Sequence, residues 1–165
     1  MAQSSYSTSL LDTSGLEQLT AARVGIVYTE WNEDIVTAQR EGAHRIALQT
    51  GAVISHEIAV PGSIELPFAC KHLIEHTDEK SGPQAIIAFG AVIRGGTPHF
   101  DYVCKAVTEG IMYLNVHKNI PVIFGVLTLE NEKQAWERLG GAFGHKGEEA
   151  MITALKMIRL RQMPL

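Results

Sequence analysis

The densest group of chemically useful residues lies between Ala91 and Asp101, where an apolar run ends in Arg-Gly-Gly-Thr-Pro-His-Phe-Asp. Adjacent glycines let a backbone approach a ligand closely, and the amides of Gly96 and Thr97 at a helix start are suited to an anion. His99 falls in the first turn of that helix, where it could exchange protons with the ligand. The alternative is a capping loop with an exposed histidine. The density of such residues favours an active site for a small phosphorylated substrate.

Two earlier segments also place polar residues directly after an apolar strand. Trp31 could stack on a flat ring, or it could pack against a neighbouring helix or subunit. Ser63 and Glu65, in Pro-Gly-Ser-Ile-Glu-Leu-Pro, open a helix whose free amides could bind a polar heterocycle. Ser63 could equally serve as a simple N-cap with Glu65 in the first turn. Spacing alone leaves both alternatives open.

A fourth segment runs from Phe124 to Thr128 and leads into a predicted helix that carries Arg138. The arginine fork matches phosphate geometry, so Arg138 could reach over the glycine-rich segment of a neighbouring subunit. A surface arginine paired with Glu137 or Glu148 is the equally weighted alternative.

One motif points to a different chemistry. The run from His72 to His76 matches the His-x-x-Glu-His pattern of some zinc peptidases. It lies at a predicted helix end, at the opposite edge of the sheet from the glycine-rich segment, and no third ligand follows. We therefore predict no metal site.

The composition limits the classes of function. The chain has 165 residues, of which 45% are hydrophobic and 19% charged, and its net charge of −4 gives a nucleic-acid role no electrostatic support. No apolar run approaches the roughly 20 residues of a membrane span. Two cysteines, Cys70 and Cys104, are expected to be buried and reduced, which suits a cytoplasmic protein.

Alternating strands and helices must position the four segments. Strands are predicted over 24–28, 52–60, 84–93 and 121–127, and helices over 34–50, 67–76, 100–114, 130–139 and 146–160. This order predicts a three-layer α/β sandwich, with a central, mainly parallel four-stranded sheet covered by helices on both faces. Ligands of such sheets bind beyond the carboxyl ends of the strands. We expect one domain over 1–165, with a flexible N-terminal arm over 1–20.

With these segments assembled, the sequence resembles the 6,7-dimethyl-8-ribityllumazine synthases of riboflavin biosynthesis from about Val24 to Leu160. Four blocks carry the resemblance in order: Pro-Gly-Ser-Ile-Glu-Leu-Pro, Gly-Ala-Val-Ile-Arg-Gly-Gly-Thr-Pro-His-Phe-Asp-Tyr-Val, Pro-Val-Ile-Phe-Gly-Val-Leu-Thr and Gly-His-Lys-Gly-Glu-Glu-Ala. The resemblance implies a flavodoxin-like topology and a transferase. Its reaction condenses 5-amino-6-(D-ribitylamino)uracil with 3,4-dihydroxy-2-butanone 4-phosphate and releases phosphate and water. Neither a cofactor nor a metal is implied.

The resemblance also implies a role for each residue of the site. His99 corresponds to the proton donor or acceptor, and Gly96, Thr97 and Arg138 to the phosphate pocket. The pyrimidine and its ribityl chain are expected to contact Trp31, Asn32, Ser63, Ile64, Glu65, Ala91, Val92, Ile93, Phe124 and Lys146. In this family, Phe124 and Arg138 would come from the adjacent subunit. Ile64 departs from the pattern, because many members have an aromatic residue there.

A shared site makes oligomerisation a requirement for activity. The resemblance implies a pentamer, and the short Gly140–Lys146 link favours the assembly of twelve pentamers into an icosahedral 60-mer; association with riboflavin synthase is a further possibility. The rival function is a flavin- or lumazine-binding protein without catalysis, which would need neither His99 nor Arg138. A flavodoxin-like redox module is disfavoured, because the segment from Thr29 to Asn32 lacks the glycine of a phosphate loop.

Overall fold

The computed structural model describes residues 12–16, 19 and 21–164. Within them the chain alternates strands and helices, and then ends in a short helix, a small hairpin and a long helix. The elements are β1 (Arg23–Thr29), α1 (Glu33–Thr50), β2 (Val53–Val60), α2 (Leu66–His76), β3 (Ala85–Ile93), α3 (His99–His117), β4 (Val122–Leu129), α4 (Lys133–Trp136), β5 (Leu139–Gly141), β6 (Gly144–His145) and α5 (Lys146–Gln162).

Four parallel strands form the central sheet in the order β2-β1-β3-β4. The chain moves from β1 outwards to β2 and then crosses back to β3 on the other side of β1. The sheet order therefore reverses between β1 and β3, and this switch point is where open α/β sheets bind ligands. The predicted parallel α/β sandwich with a flavodoxin-like topology is confirmed.

Two apolar cores lie on opposite faces of the sheet because the side chains of a strand alternate between faces. On β3, Ile87 and Phe89 join the core beneath α1 and α5, whereas Ile86 and Ala88 join the core beneath α2 and α3. All four are fully buried. This double burial explains why β3 is a continuous apolar run rather than an alternating one.

The helices follow the predicted periods. On α3 the buried side chains are Val103, Val107, Ile111 and Leu114, which recur on one face of the helix. Helix α1 ends at Gly51, whose φ of 73° is the left-handed conformation that commonly terminates helices. Among the helices that the structure describes, none is long and apolar enough to cross a membrane.

The predicted helix over 130–139 is wrong in length. Helix α4 covers only Lys133–Trp136, after which Leu139 pairs with His145 in an antiparallel hairpin. Gly140 and Gly144 have φ values of 111° and 77°, which a helix cannot contain. The Gly140–Lys146 link is therefore largely a hairpin, and Arg138 lies between it and α4.

The predicted N-terminal arm meets the domain before residue 20. Leu16 and Leu19 are buried in the core beneath α1 and α5, so this part of the chain lies against the domain. Residues 1–11 of the arm lie outside the described residues.

Candidate functional site

Strand β3 extends past β1 and leaves part of its edge open to the cleft at the switch point. Pairing between β1 and β3 ends at Tyr28 and Phe89, whereas pairing between β3 and β4 continues to Ile93 and Leu129. On the β1 side, the carbonyl oxygen of Ala91 accepts a hydrogen bond of 2.8 Å from Asn32 Nδ2. The backbone of Ala91–Ile93 can therefore offer donors and acceptors to a planar ligand in the cleft.

A cavity of about 590 Å³ occupies this cleft. It gathers predicted pyrimidine-binding and proton-transfer residues from the segment after β1, the segment before α2, the end of β3 and the start of α3. Its lining consists of Trp31, Asn32, Pro61, Gly62, Ser63, Ile64, Glu65, Ala91, Val92, Ile93, His99 and Val103. Nine of these are residues that the sequence predicted for the site, whereas Pro61, Gly62 and Val103 were missed.

The first wall of the cavity is built around Trp31. Its side chain is 74% exposed, so it does not pack against a helix of this chain. The left-handed backbone of Asn32, with φ of 58°, turns the chain here before α1 begins. Gly62 lies beside Trp31 and the Glu65 carboxylate, at 3.8 and 3.1 Å from where a Cβ would stand. An indole face and a carboxylate therefore flank the same opening.

Ser63 does not act as the predicted N-cap of α2. The residue that precedes this helix is Glu65, and no side chain caps it. Ser63 is instead buried, and its Oγ lies 3.1 Å from where a Cβ of Gly90 would stand. A side chain at position 90 would therefore push Ser63 away from the strand end. Ser63 lines the cavity and does not cap α2.

The segment between β3 and α3 is an open loop at the edge of the cavity. At Gly95 and Gly96 no atom lies within 4 Å of where a Cβ would stand, and Thr97 is exposed. The Thr97 hydroxyl accepts a long hydrogen bond of 3.4 Å from the His99 amide. The loop thus opens its backbone to solvent at the positive end of a 19-residue helix, which suits an anion.

Two of the residues predicted to contact the pyrimidine lie away from this cavity. Phe124 and Lys146 line a second cavity of about 700 Å³ along the free side of β4. Phe124 is 41% exposed, and Lys146 Nζ is held by Glu149 at 2.7 and 2.8 Å. A single subunit therefore does not bring these side chains to His99.

Arg138 lines neither cavity. Its Nη1 donates to the Gln134 carbonyl at 2.9 Å and lies 3.9 Å from a carboxylate oxygen of Glu137. Its guanidinium carbon also stands 4.9 Å from the centre of the Phe143 ring. Of the two acidic partners predicted for Arg138, Glu137 lies close to it, whereas Glu148 pairs with Arg45.

Arg94 is a side chain that the sequence patterns did not single out. It binds Glu130, just after β4, and Asp101, in the first turn of α3. An arginine that directly precedes a Gly-Gly loop was the available signal, but its partners are 7 and 36 residues away. Only the fold brings them together.

The structure gives the His72–His76 motif a role within the helix. The two rings stack with centroids 4.1 Å apart, and His76 Nδ1 lies 2.9 Å from the His72 carbonyl oxygen. Glu75 forms an ion pair with Lys118. Within the described part of the chain, no group of three or more His, Cys, Asp or Glu side chains could hold a metal ion.

The two cysteines differ in exposure. Burial raises the pKa of the Cys70 thiol to about 12, which keeps it protonated and unreactive at neutral pH. Cys104 is only half-buried, so the expectation that both thiols are buried is wrong for this one. Both cysteines are free.

Fold and cavity together define an open α/β domain with a cavity beyond the ends of its parallel strands, beside a glycine-rich loop at a helix N-terminus. The sequence profile of the 6,7-dimethyl-8-ribityllumazine synthase family matches residues 21–162. The chain belongs to this family.

Individual relatives agree with the family match along nearly the whole chain. The 6,7-dimethyl-8-ribityllumazine synthase of Porphyromonas gingivalis is 47% identical over 143 residues, or 86% of each chain. That of Cytophaga hutchinsonii is 44% identical and covers 94% of this chain and 97% of its own. That of Parabacteroides distasonis is 42% identical, and the match covers 96% of this chain and 98% of the relative.

Proposed function

We propose that this protein condenses 5-amino-6-(D-ribitylamino)uracil with 3,4-dihydroxy-2-butanone 4-phosphate to form 6,7-dimethyl-8-ribityllumazine. This is the penultimate step of riboflavin biosynthesis. One observation carries the proposal: in a chain of this family, a single cavity unites Trp31, Glu65, the β3 strand end and His99. Nothing observed favours the rival, a flavin- or lumazine-binding protein without catalysis.

The reaction needs positioning and proton transfer rather than a strong nucleophile from the protein. The 5-amino group attacks the ketone and forms an imine with loss of water, and phosphate then leaves. The ribityl-bearing nitrogen closes the ring with loss of a second water. Holding both substrates in reacting geometry supplies much of the acceleration, and His99 accepts and returns protons between these steps.

Different residues of the cavity bind different parts of the two substrates. Trp31 stacks on the pyrimidine, and the backbone of Ala91, Val92 and Ile93 pairs with its polar edge. Asn32, Ser63, Ile64 and Glu65 hold the ribityl chain, and Gly96 and Thr97 hold the phosphate through their amides. Ile64, which is 50% exposed, gives this pocket a smaller wall than an aromatic residue would.

Residues of the adjacent subunit complete each site in this proposal. Phe124, Arg138 and Lys146 do not line the cavity that holds His99. The neighbour's Arg138 binds the phosphate through its fork, Phe124 covers the pyrimidine, and Lys146 lies near the same pocket. The protein therefore works as a homo-oligomer: a pentamer, and twelve pentamers as a 60-mer, with riboflavin synthase as a possible associated enzyme. Its two free cysteines suit the cytoplasm.

The activity is tested by mixing the purified protein with both substrates and following lumazine fluorescence. We expect product well above the protein-free rate from about pH 6 to pH 8. Absence of product across this window would refute the proposal. Light scattering on the same sample decides the assembly, because pentamer and 60-mer differ about twelvefold in mass.

A further inference from the structure

Arg94 joins two loops at the rim of the cleft. Its Nε donates to both carboxylate oxygens of Glu130, at 3.1 and 2.9 Å. Its Nη1 and Nη2 donate to the two oxygens of Asp101, at 3.4 and 3.2 Å. The guanidinium carbon also stands 4.0 Å from the centre of the Phe100 ring. One side chain thus binds the segment after β4 and the first turn of α3 together.

Little else among the described contacts holds the loop between Arg94 and His99. No atom lies within 4 Å of a Cβ position at Gly95 or Gly96, and the single side-chain bond within the loop is the long one from the His99 amide to Thr97. At its start, the Arg94 amide donates to the Leu129 carbonyl at 2.8 Å. The Arg94 side chain supplies the corresponding restraint at the end of the loop, through Asp101.

Hydrogen bonds to neighbouring residues hold the backbone of Glu130 in place. Its amide donates to Gln134 Oε1 at 2.9 Å, and the Gln134 amide donates in turn to Asn131 Oδ1 at 3.2 Å. The turn that carries Glu130 is therefore tied to α4. Single exposed ion pairs contribute little, but here one guanidinium spans two carboxylates in a fixed fork and stacks on a ring.

The position of Arg94 beside an anion-binding loop suggests at first that it binds the phosphate itself. The geometry argues against this, because all three guanidinium nitrogens already donate to carboxylates. The hydrogen bonds that Arg94 donates to Asp101 and Glu130 also raise the pKa of Arg94, so its charge persists at any working pH. A phosphate at this position would stand close to two negative groups.

We propose that Arg94 is a positioning residue, which holds the glycine-rich loop and the first turn of α3 against the segment after β4. This rests on the proposed function, since the loop is taken to bind the phosphate and His99 to move the proton. Arg94 acts through these residues and does not touch the substrate. Displacement of reacting groups by about 1 Å costs on the order of 100-fold in rate, so the restraint governs turnover.

The test compares Arg94→Ala, Arg94→Lys and Glu130→Gln with the wild type. We expect kcat to fall on the order of tenfold or more in Arg94→Ala, with an unchanged KM for the pyrimidine and an unchanged oligomer. Glu130→Gln should also lower kcat. The double variant Arg94→Ala/Glu130→Gln should have a kcat no lower than that of Arg94→Ala alone, because both substitutions break the same contact. Arg94→Lys should stay impaired, because an ammonium cannot span both carboxylates.

A direct phosphate ligand would behave differently. Glu130→Gln would then free the guanidinium and tighten inhibition by inorganic phosphate, and this result would overturn the proposal. Full activity in Arg94→Lys would also overturn it. Lys133→Ala is the matched control, because it removes an 85% exposed cation three residues after Glu130 and should leave turnover unchanged.

Amide hydrogen exchange separates this proposal from the proposed function. The hydrogen-bonded amides of His99 and Asp101 should lose protection in Arg94→Ala and keep it in Lys133→Ala. Unchanged exchange in Arg94→Ala would overturn the positioning role even if the wild type is an active synthase. A wild type that makes no lumazine would refute the proposed function, and the exchange comparison would still decide whether Arg94 holds the loop.

Discussion

His99 is the residue on which the proposed chemistry depends most directly. It is the first residue of α3, it is exposed, and it lines the cavity beside the backbone of Ala91–Ile93. An exposed histidine at this position contributes little to the core. Its substitution therefore separates catalysis from folding.

For His99→Ala we expect the rate of lumazine formation to fall on the order of 100-fold, a typical contribution of a general acid–base group. Thermal stability and oligomer size should match those of the wild type. The control is His76→Ala, an exposed histidine at the far end of α2, which should keep full activity. An unchanged rate in His99→Ala would remove this residue from the mechanism.

His145 is a second histidine with an unusual environment. Its Nδ1 is buried and has no hydrogen-bond partner within the part of the chain that the structure describes. Burial lowers its pKa from the ordinary 6.5, and this outweighs the nearby carboxylate of Glu148. The folded protein therefore favours the neutral ring.

This pKa shift predicts a loss of stability in mild acid. Below pH 6.5 the unfolded chain binds a proton that the folded state resists, so the free energy of unfolding decreases as the pH falls towards the lowered folded pKa. Above pH 6.5 both states are neutral and the effect is absent. Between about pH 7.5 and pH 5.5, we expect the melting temperature of the wild type to fall by more than that of His145→Asn. Parallel curves for the two proteins would contradict this prediction.

At the scale of elements, α1 packs against the start of α5 with almost no space between their backbones. A Cβ at Gly147 would stand 2.0 Å from the Gln39 carbonyl oxygen, and one at Gly42 would stand 2.3 Å from the His145 ring. Glycines let these two helices touch backbone to backbone. The contact fixes the start of α5, and with it Lys146.

Gly147→Ala should separate these helices and lower the free energy of unfolding by about 1–3 kcal/mol, the usual cost of overpacking. The obstacle is backbone rather than a flexible side chain, so it cannot move away alone. Gly95→Ala is the control for stability, since nothing lies within 4 Å of its Cβ position. Denaturant unfolding measures both, and equal stability of the two variants would show that α5 adjusts freely.

At the scale of the whole molecule, two separate cavities hold most of the predicted site residues, and Arg138 lines neither of them. The cavity with Trp31 and His99 is open on one side, and the one with Phe124 and Lys146 lies along the free side of β4. Trp31 is 74% exposed and Phe124 41%. Large aromatic side chains left exposed in a subunit are typical of surfaces that another subunit covers.

A shared site predicts that two inactive variants restore each other. Subunits carrying Arg138→Ala retain His99, and subunits carrying His99→Ala retain Arg138. When the two are coexpressed, roughly a quarter of the sites in a random ring would hold both native residues. We therefore expect about that share of wild-type activity, measured by lumazine fluorescence.

The matched control coexpresses His99→Ala with the double variant His99→Ala/Arg138→Ala. No subunit in that mixture carries His99, so no site is intact and activity should stay at the level of His99→Ala alone. Failure of the first mixture to recover activity would place Arg138 outside the neighbour's site.

Local patterns in the sequence determined the architecture and much of the cavity. Each of three local patterns is set by residues close together in the chain. The apolar run of β3 and the spacing of apolar residues in α3 from Val103 to Leu114 predict buried side chains, and the residues around Gly62 predict a turn. Once strands and helices alternate, the handedness of crossovers brings the strand ends to one edge. The segments that carry Trp31, Ser63 and His99 could therefore be expected in one cleft.

Tertiary structure alone decided which residues act together across long separations in the chain. Helix α4 stops at Trp136 because Leu139 pairs with His145, a contact that the helical pattern over 130–139 does not contain. Arg94 meets Glu130 because β3 and β4 are neighbours that end at the same level. Phe124 and Lys146 lie in a separate cavity from His99 because β4 is the edge strand. Such contacts depend on where the crossovers place each loop in space. A local pattern of residue types does not predict that position.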